Sequence, residues 1–311
     1  MLISNQQKYI QTQFNSEDEL EQVVVDNAEY IFGPSSIYLP KKLITTRDGF
    51  GTIPDGFAID IASRQWFIVE AELSKHSVWS HIAPQVAKQI IAGNQSTTKQ
   101  LLIELVVEKV RESDPLIEKF FDEGIKEIDI RGVLSEILSG KPVIGMPIDH
   151  ISNDLKDWSA TLKVNVKLWI VRKYVEFGNA ENIMYEIPEE YKPEIDTTED
   201  AETSTSRIAR YDVTIDHLLS IGLLTVGDRL VMSYKPKNGE RKEYEAIIEE
   251  NGSLTILGKS FSSPSYAALL GIQDAGSDRQ TVNGWTSWRT MRGRSLADLR
   301  TDYLNSQIAD E

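Results

Sequence analysis

The chain has 311 residues, enough for two domains of ordinary size, and 41% of them are hydrophobic, enough to bury cores. It contains no Cys, which excludes disulfides and Cys-ligated zinc, and no apolar run approaches the roughly 20 residues that span a bilayer. The formal net charge of −15 argues against a uniformly basic nucleic-acid binder and leaves room only for local basic patches.

The N-terminus, Met1-Leu2-Ile3-Ser4-Asn5-Gln6-Gln7-Lys8, lacks a basic segment followed by an apolar core, so no secretory signal is expected and a cytoplasmic setting fits. Ser16-Glu17-Asp18-Glu19 reads as a capping box that opens a helix. Leu20, Val24, Ala28 and Ile31 recur at near-helical spacing, and Gly33-Pro34 ends the pattern. Pro54-Asp55-Gly56 marks a turn into Phe57–Ile61, which alternates like a half-buried strand. Ser63-Arg64-Gln65 turns back into the apolar run Trp66–Val69, a buried strand, followed by Glu70-Ala71-Glu72. Glu70 and Glu72 are two apart in a strand and share a face. Fourteen residues lie between Asp55 and Glu70, a hairpin's length, so the two acids can stand side by side. Three carboxylates there make an all-oxygen site suited to Mg²⁺, which polarises a phosphodiester and activates water. The competing reading is a solvated acidic hairpin face, but acids directly after an unbroken Trp-Phe-Ile-Val run are out of place in solvent.

Downstream, Ile82, Val86 and Ile90 form an apolar helical stripe, with Gln85 and Lys88 on another face and Gly93-Asn94 as the stop. His81 lies near this helix, with Pro84 blurring its position. Leu101–Val110 is a predicted amphipathic helix, Glu127–Ile130 a predicted short strand, and Val164–Val171 and Ile183–Ile187 predicted strands joined through Gly178–Asn182.

Between Glu186 and Glu202 eight acids face one Lys192. With Pro188, Pro193 and the Thr/Ser run to Ser206, this is an expected acidic, flexible linker over 187–206, dividing a domain at 1–186 from one at 207–311. From Tyr211 to Arg300 eleven basic residues balance eleven acids, and Arg279, Arg289, Arg292, Arg294 and Arg300 can build a local basic patch. In this half a helix is expected over Ile215–Leu224, a strand over Arg229–Tyr234, and a hairpin around Asn251-Gly252. Then come Phe261-Ser262-Ser263-Pro264-Ser265-Tyr266, Asn283-Gly284-Trp285 with Trp288 three on, and Ser295-Leu296-Ala297-Asp298-Leu299-Arg300.

Two resemblances attach to these motifs. Pro54-Asp55 with Glu70-Ala71-Glu72 resembles the PD-(D/E)XK nuclease superfamily, with Glu72 standing where Lys is usual. That resemblance implies an α/β fold, a mixed sheet flanked by helices, and a Mg²⁺-dependent hydrolase (Mn²⁺ substituting) with Asp55 and Glu70 as metal ligands. It makes Glu72 a third ligand or water-orienting base, Glu21 the acid of the first helix, and Gln85 or Lys88 the group aimed at the scissile phosphate, with Lys75 competing. The ordered motifs from about Ile208 to Leu304 resemble the RAMA domain, a smaller α+β module linked to restriction enzymes and adenine methylases. It implies contact with DNA, base-modified or not, through Ser263, Ser265, Asn283, Trp285, Trp288 and Arg289. The alternative is structural: the tryptophans fill a small core and the serines cap a helix. Together the resemblances imply a restriction-type endonuclease acting on double-stranded DNA, most directly one dependent on modification, with no membrane partner and working as a homodimer. An enzyme reading unmodified sequence and an inactive DNA-binding protein are the other readings.

Overall fold

The computed structural model describes residues 1–187, 195–196, 213–236 and 239–309. The chain divides into two compact units, Met1–Asp200 and Ala201–Glu311. The predicted linker 187–206 lies outside the described residues apart from Ile187 and Ile195–Asp196, the last two of which pair with a strand of the first unit.

In chain order the first unit runs β1 (Leu2–Ser4), β2 (Gln7–Thr12), α1 (Glu17–Asp26), α2 (Ala28–Phe32), β3 (Ser36–Pro40), a small hairpin of β4 (Ile44–Thr45) and β5 (Gly51–Thr52), β6 (Gly56–Asp60) and β7 (Gln65–Val69). A π-helical turn, Val78–Ile82, leads into α3 (Ala83–Gly93). There follow α4 (Ser96–Arg111), α5 (Asp114–Asp122), α6 (Ile130–Ser139), β8 (Val143–Ile148), α7 (Asn153–Ala160), β9 (Val166–Ile170), β10 (Arg172–Glu176), β11 (Asn179–Glu186) and β12 (Ile195–Asp196). The central sheet has the order β12-β9-β8-β7-β6-β3. β3, β6 and β7 form an antiparallel meander, and β8 and β9 add to it in parallel. A separate four-stranded sheet, β1-β2-β10-β11, is built from the two ends of the unit.

Strand alternation sorts the core onto both faces of the central sheet. Phe57, Ile59, Trp66 and Ile68 join the cluster containing Val86, Leu102, Val106 and Leu134 from α3, α4 and α6. Ala58, Phe67, Val69 and Ala71 join Leu20, Val24, Ile31 and Phe32 from α1 and α2. Helices thus cover both faces, which is why Trp66–Val69 of β7 and all of β8 are apolar rather than alternating.

Three local expectations are corrected. The first predicted helix is two, because the chain breaks at Asn27 (φ −121°, ψ 21°), whose side chain donates to Val23 O at 2.8 Å. Glu127–Asp129 is a 3₁₀ turn rather than a strand, and Ile130 already belongs to α6, where it is buried with Leu134 and Ile137. The stretch between the two predicted strands is itself a strand, β10, and it pairs with β11, which already begins at Asn179.

The second unit contains α8 (Ile215–Ser220), β13 (Arg229–Tyr234), β14 (Lys242–Ile248), β15 (Leu254–Ile256), β16 (Lys259–Phe261), α9 (Pro264–Asp274), α10 (Gly284–Ser287), β17 (Arg289–Thr290) and α11 (Leu296–Ala309). Its strands form one antiparallel sheet, β16-β15-β14-β13-β17, with a core of its own. The Asn251-Gly252 turn joins β14 and β15 as expected, with Gly252 at φ +72°. No helix among the described residues is long and apolar enough to cross a membrane.

Candidate active site and candidate nucleic-acid interface

The β6–β7 register brings the acids together. Gly56 pairs with Val69, so Asp55 and Glu70 are the next step of the same ladder. Past the end of β7 the chain stays extended: Glu70 N–H donates to Gly145 O at 3.0 Å and Glu72 N–H to Pro147 O at 3.0 Å. Asp55 follows the parity of Phe57 and Ile59, and Glu70 and Glu72 that of Trp66 and Ile68, so all three carboxylates fall on the α3 side of the sheet. Gly56 is required here. A Cβ on it would lie 2.1 Å from the Tyr38 hydroxyl, which donates to Asp55 O at 3.3 Å.

Each acid has identifiable partners. Asp55 Oδ2 accepts from Ala71 N–H at 2.9 Å, and Lys41 Nζ lies 3.7 Å from its Oδ1. The same Lys41 is 2.5 Å from Glu21 Oε2, so Glu21 belongs to the cluster through this shared lysine. Glu70, 1% exposed, accepts from Gln85 Nε2 at 2.7 Å and from Gln89 Nε2. Glu72 is equally buried and is paired with His76 Nδ1 at 3.0 Å.

These environments raise the carboxyls. Burial, then repulsion from Glu21, pushes Asp55 up to about 7, against the ordinary 3.8. Burial, then the negative charge of Asp55, holds Glu70 well above the usual range. Burial, then Glu17, takes Glu72 from 4.5 up to about 8. A buried group of acids that would rather hold protons than charge is what a divalent cation relieves, since it replaces several protons at once. Asp55 and Glu70 offer hard oxygen ligands of the kind Mg²⁺ takes, and the donor set fits that ion.

Of the residues expected from sequence, Asp55, Glu70, Glu72, Glu21 and Gln85 come together. Lys88 does not join them: it is exposed on α3, while Gln85 and Gln89, one turn apart, point at Glu70. Lys75 is exposed as well. The lysine at the cluster is Lys41, which arrives from the loop after β3. Lys41, Gln89, Glu17 and His76 were not singled out by sequence. Gln89 had a signal, its i+4 spacing from Gln85 on a helix. Lys41 had none, because its proximity depends on the β3–β6 pairing of Pro40 with Gly56.

In the second unit the expected DNA-contacting residues are largely structural. Ser263 caps α9, its Oγ accepting from Ser265 N–H at 3.2 Å and Tyr266 N–H at 3.4 Å. Ser265 Oγ accepts from Gly284 N–H at 3.2 Å, tying α9 to α10. Asn283 caps α10 through Trp285 N–H at 3.2 Å. Trp285 and Trp288, 3% and 0% exposed, sit in the core, and Trp288 Nε1 donates to Pro264 O at 3.0 Å. This corrects the expectation of an open stacking platform: neither indole offers a free face to a base. Arg300 is buried too, stacked over Trp285 at 4.4 Å, so it leaves the expected basic patch. Arg289 is exposed, as are Arg229, Arg292 and Arg294. The last three line a cleft of about 430 Å³ with Thr225, Asp228 and Thr290.

Comparison with known families adds one match. Residues 195–309 fit the family described as Restriction Enzyme Adenine Methylase Associated, RAMA. That family's name associates it with restriction enzymes and adenine methylases. Neither a curated protein nor a solved structure matches the chain.

Proposed function

We propose that the first unit is a Mg²⁺-dependent DNA endonuclease of the PD-(D/E)XK kind and that the RAMA segment directs it to double-stranded DNA, in the first instance base-modified DNA. The observation that carries the reading is the register-driven meeting of Asp55, Glu70 and Glu72 as buried, raised carboxyls on one face of a mixed sheet. The order of elements supports it: a first helix, an antiparallel meander, a crossover of several helices, then a parallel strand.

Asp55 and Glu70 would hold Mg²⁺, which when bound supplies charge neutralisation at a phosphodiester and a more acidic water. Gln85 and Gln89 fix the Glu70 carboxylate, so its orientation does not depend on the ion. Glu72 is placed to orient or deprotonate the attacking water. Lys41, half exposed and paired with Glu21 and Asp55, is the cation a phosphate at this cluster would meet. Double-strand cutting needs two such sites, hence a homodimer.

The test is cleavage of a panel of unmodified, adenine-methylated and cytosine-modified duplexes with Mg²⁺ or Mn²⁺. Cutting should vanish on chelation and in Asp55→Ala and Glu70→Ala. Undiminished cutting by either folded variant sinks the assignment. Burial of both tryptophans favours a second reading, an enzyme of the same chemistry that reads unmodified sequence; equal cutting of modified and unmodified duplexes decides for it.

A further inference from the structure

Beside the oxygen-only set lies a cluster of different chemistry. Glu17 comes from the first turn of α1, Glu72 and His76 flank the turn after β7, and His81 comes from the π-helical turn before α3. Their ligand atoms all lie within 4.8 Å of one another. His76 Nδ1 is 3.0 Å from Glu72 Oε2 and 3.6 Å from Glu17 Oε1, and His81 Nε2 is 3.8 Å from Glu72 Oε1. Ligands around a tetrahedral ion at about 2.0–2.1 Å stand roughly 3.4 Å apart, so small side-chain shifts would close this set.

We propose that Glu17, Glu72, His76 and His81 form a second cation site, one that takes a divalent transition metal of the Zn²⁺ type rather than Mg²⁺. Three observations converge. Two imidazoles and two carboxylates are a donor set for Zn²⁺, Fe²⁺ or Co²⁺, whereas Mg²⁺ selects oxygen. Glu72, its side chain 1% exposed, has a histidine at each oxygen, His76 Nδ1 at Oε2 and His81 Nε2 at Oε1. His81 is delivered by a π turn, in which Ile82 N–H reaches Ser77 O at 3.3 Å, and such turns gather at functional sites. A plain ion-pair network explains the His76–Glu72 contact but gives no reason for His81 and Glu17 to converge on the same carboxylate.

The consequence rests on the nuclease reading. Glu72 occupies the position where the resemblance places Lys. A metal bound to it returns positive charge to that position and makes the site binuclear.

The experiment uses the full chain, stripped of metal by chelation, and Co²⁺ as a spectroscopic stand-in for Zn²⁺. One equivalent should give visible bands of a low-symmetry, nitrogen-containing Co²⁺ site, bleached by Zn²⁺ and not by Mg²⁺. His76→Ala and His81→Ala should each weaken binding by more than the roughly 10–100-fold that losing an outer-shell partner costs. Asp55→Asn should retain the bands. His81 has a side chain 47% exposed, so His81→Ala keeps the readout even where another variant misfolds. Absence of bands in the wild-type chain, bands undiminished in the His76→Ala/His81→Ala double variant, or bands lost only in Asp55→Asn would each overturn the proposal. Mg²⁺-dependent cleavage without a histidine-bound metal would remove this site and leave the nuclease reading standing.

Discussion

Three carboxyls buried within one turn of a strand end are held together by the sheet and pushed apart by their charge. In the metal-free protein Asp55 and Glu72 rise to about 7 and 8, above their ordinary 3.8 and 4.5. A raised folded-state value favours the protonated form, so this contribution to stability is complete below about pH 4. It is lost as pH climbs through about 7 to 8. A cation reverses the trend because it competes with those protons. The Tm gained from Mg²⁺ should therefore be small at pH 5.5 and grow toward pH 8.5; a gain independent of pH would show that the acids do not share the ion. Gln89 belongs to the same scale. It is 0% exposed and donates to Glu70, so Gln89→Ala leaves a buried acceptor unmet and should cost about 1–3 kcal/mol along with much of the cleavage rate. Lys88→Ala, on an exposed position, should stay within about 0.5 kcal/mol of wild type and cleave normally. Denaturant unfolding and single-turnover cleavage of the two variants check both statements.

At the scale of elements, Asn283-Gly284-Trp285 is a packing device. A Cβ on Gly284 would sit 2.2 Å from the backbone of Pro264, so α10 can cross the start of α9 only with glycine there. Trp288 then seals the crossing through Pro264 O. Gly284→Ala and Trp288→Ala should both destabilise the second unit, Trp288→Ala by roughly 3–5 kcal/mol, with DNA binding lost only in proportion to unfolding. Retained stability with binding lost would return Trp288 to the recognition surface. These two helices also mark what sequence can disclose. Ser263 announces a helix start because capping is local, and it opens α9. A cap and a phosphate contact use the same hydroxyl or amide, and in the structure Ser263 Oγ and Asn283 Oδ1 are engaged as caps. In the first unit Asp55, Glu70 and Glu72 were legible because hairpin register is local and strand parity is strict. Lys41 and the Glu17–His76 contact were not, since each depends on an element brought in by tertiary packing.

Over the whole molecule, charge is divided unequally. Ala201–Glu311 carries thirteen Lys/Arg against fifteen Asp/Glu, a net −2, and Met1–Asp200 carries the remaining −13. A unit that acidic approaches DNA poorly alone, and a nearly neutral one with Arg229, Arg289, Arg292 and Arg294 exposed approaches it better. Each unit has its own core, so each should fold when separated. We expect the fragment 201–311 to bind duplex DNA by itself. If three or four of its exposed arginines meet phosphates, log K against log salt should fall with a slope of about −3 to −4. The fragment 1–200 should cut only at far higher concentration than the intact chain, because tethering supplies the reader at high local concentration. Arg292→Ala/Arg294→Ala should flatten the slope by about two and weaken binding on every sequence alike. A fragment 201–311 that folds and shows no salt-dependent DNA binding would remove the second unit from target recognition. The task of finding DNA would then fall to the first.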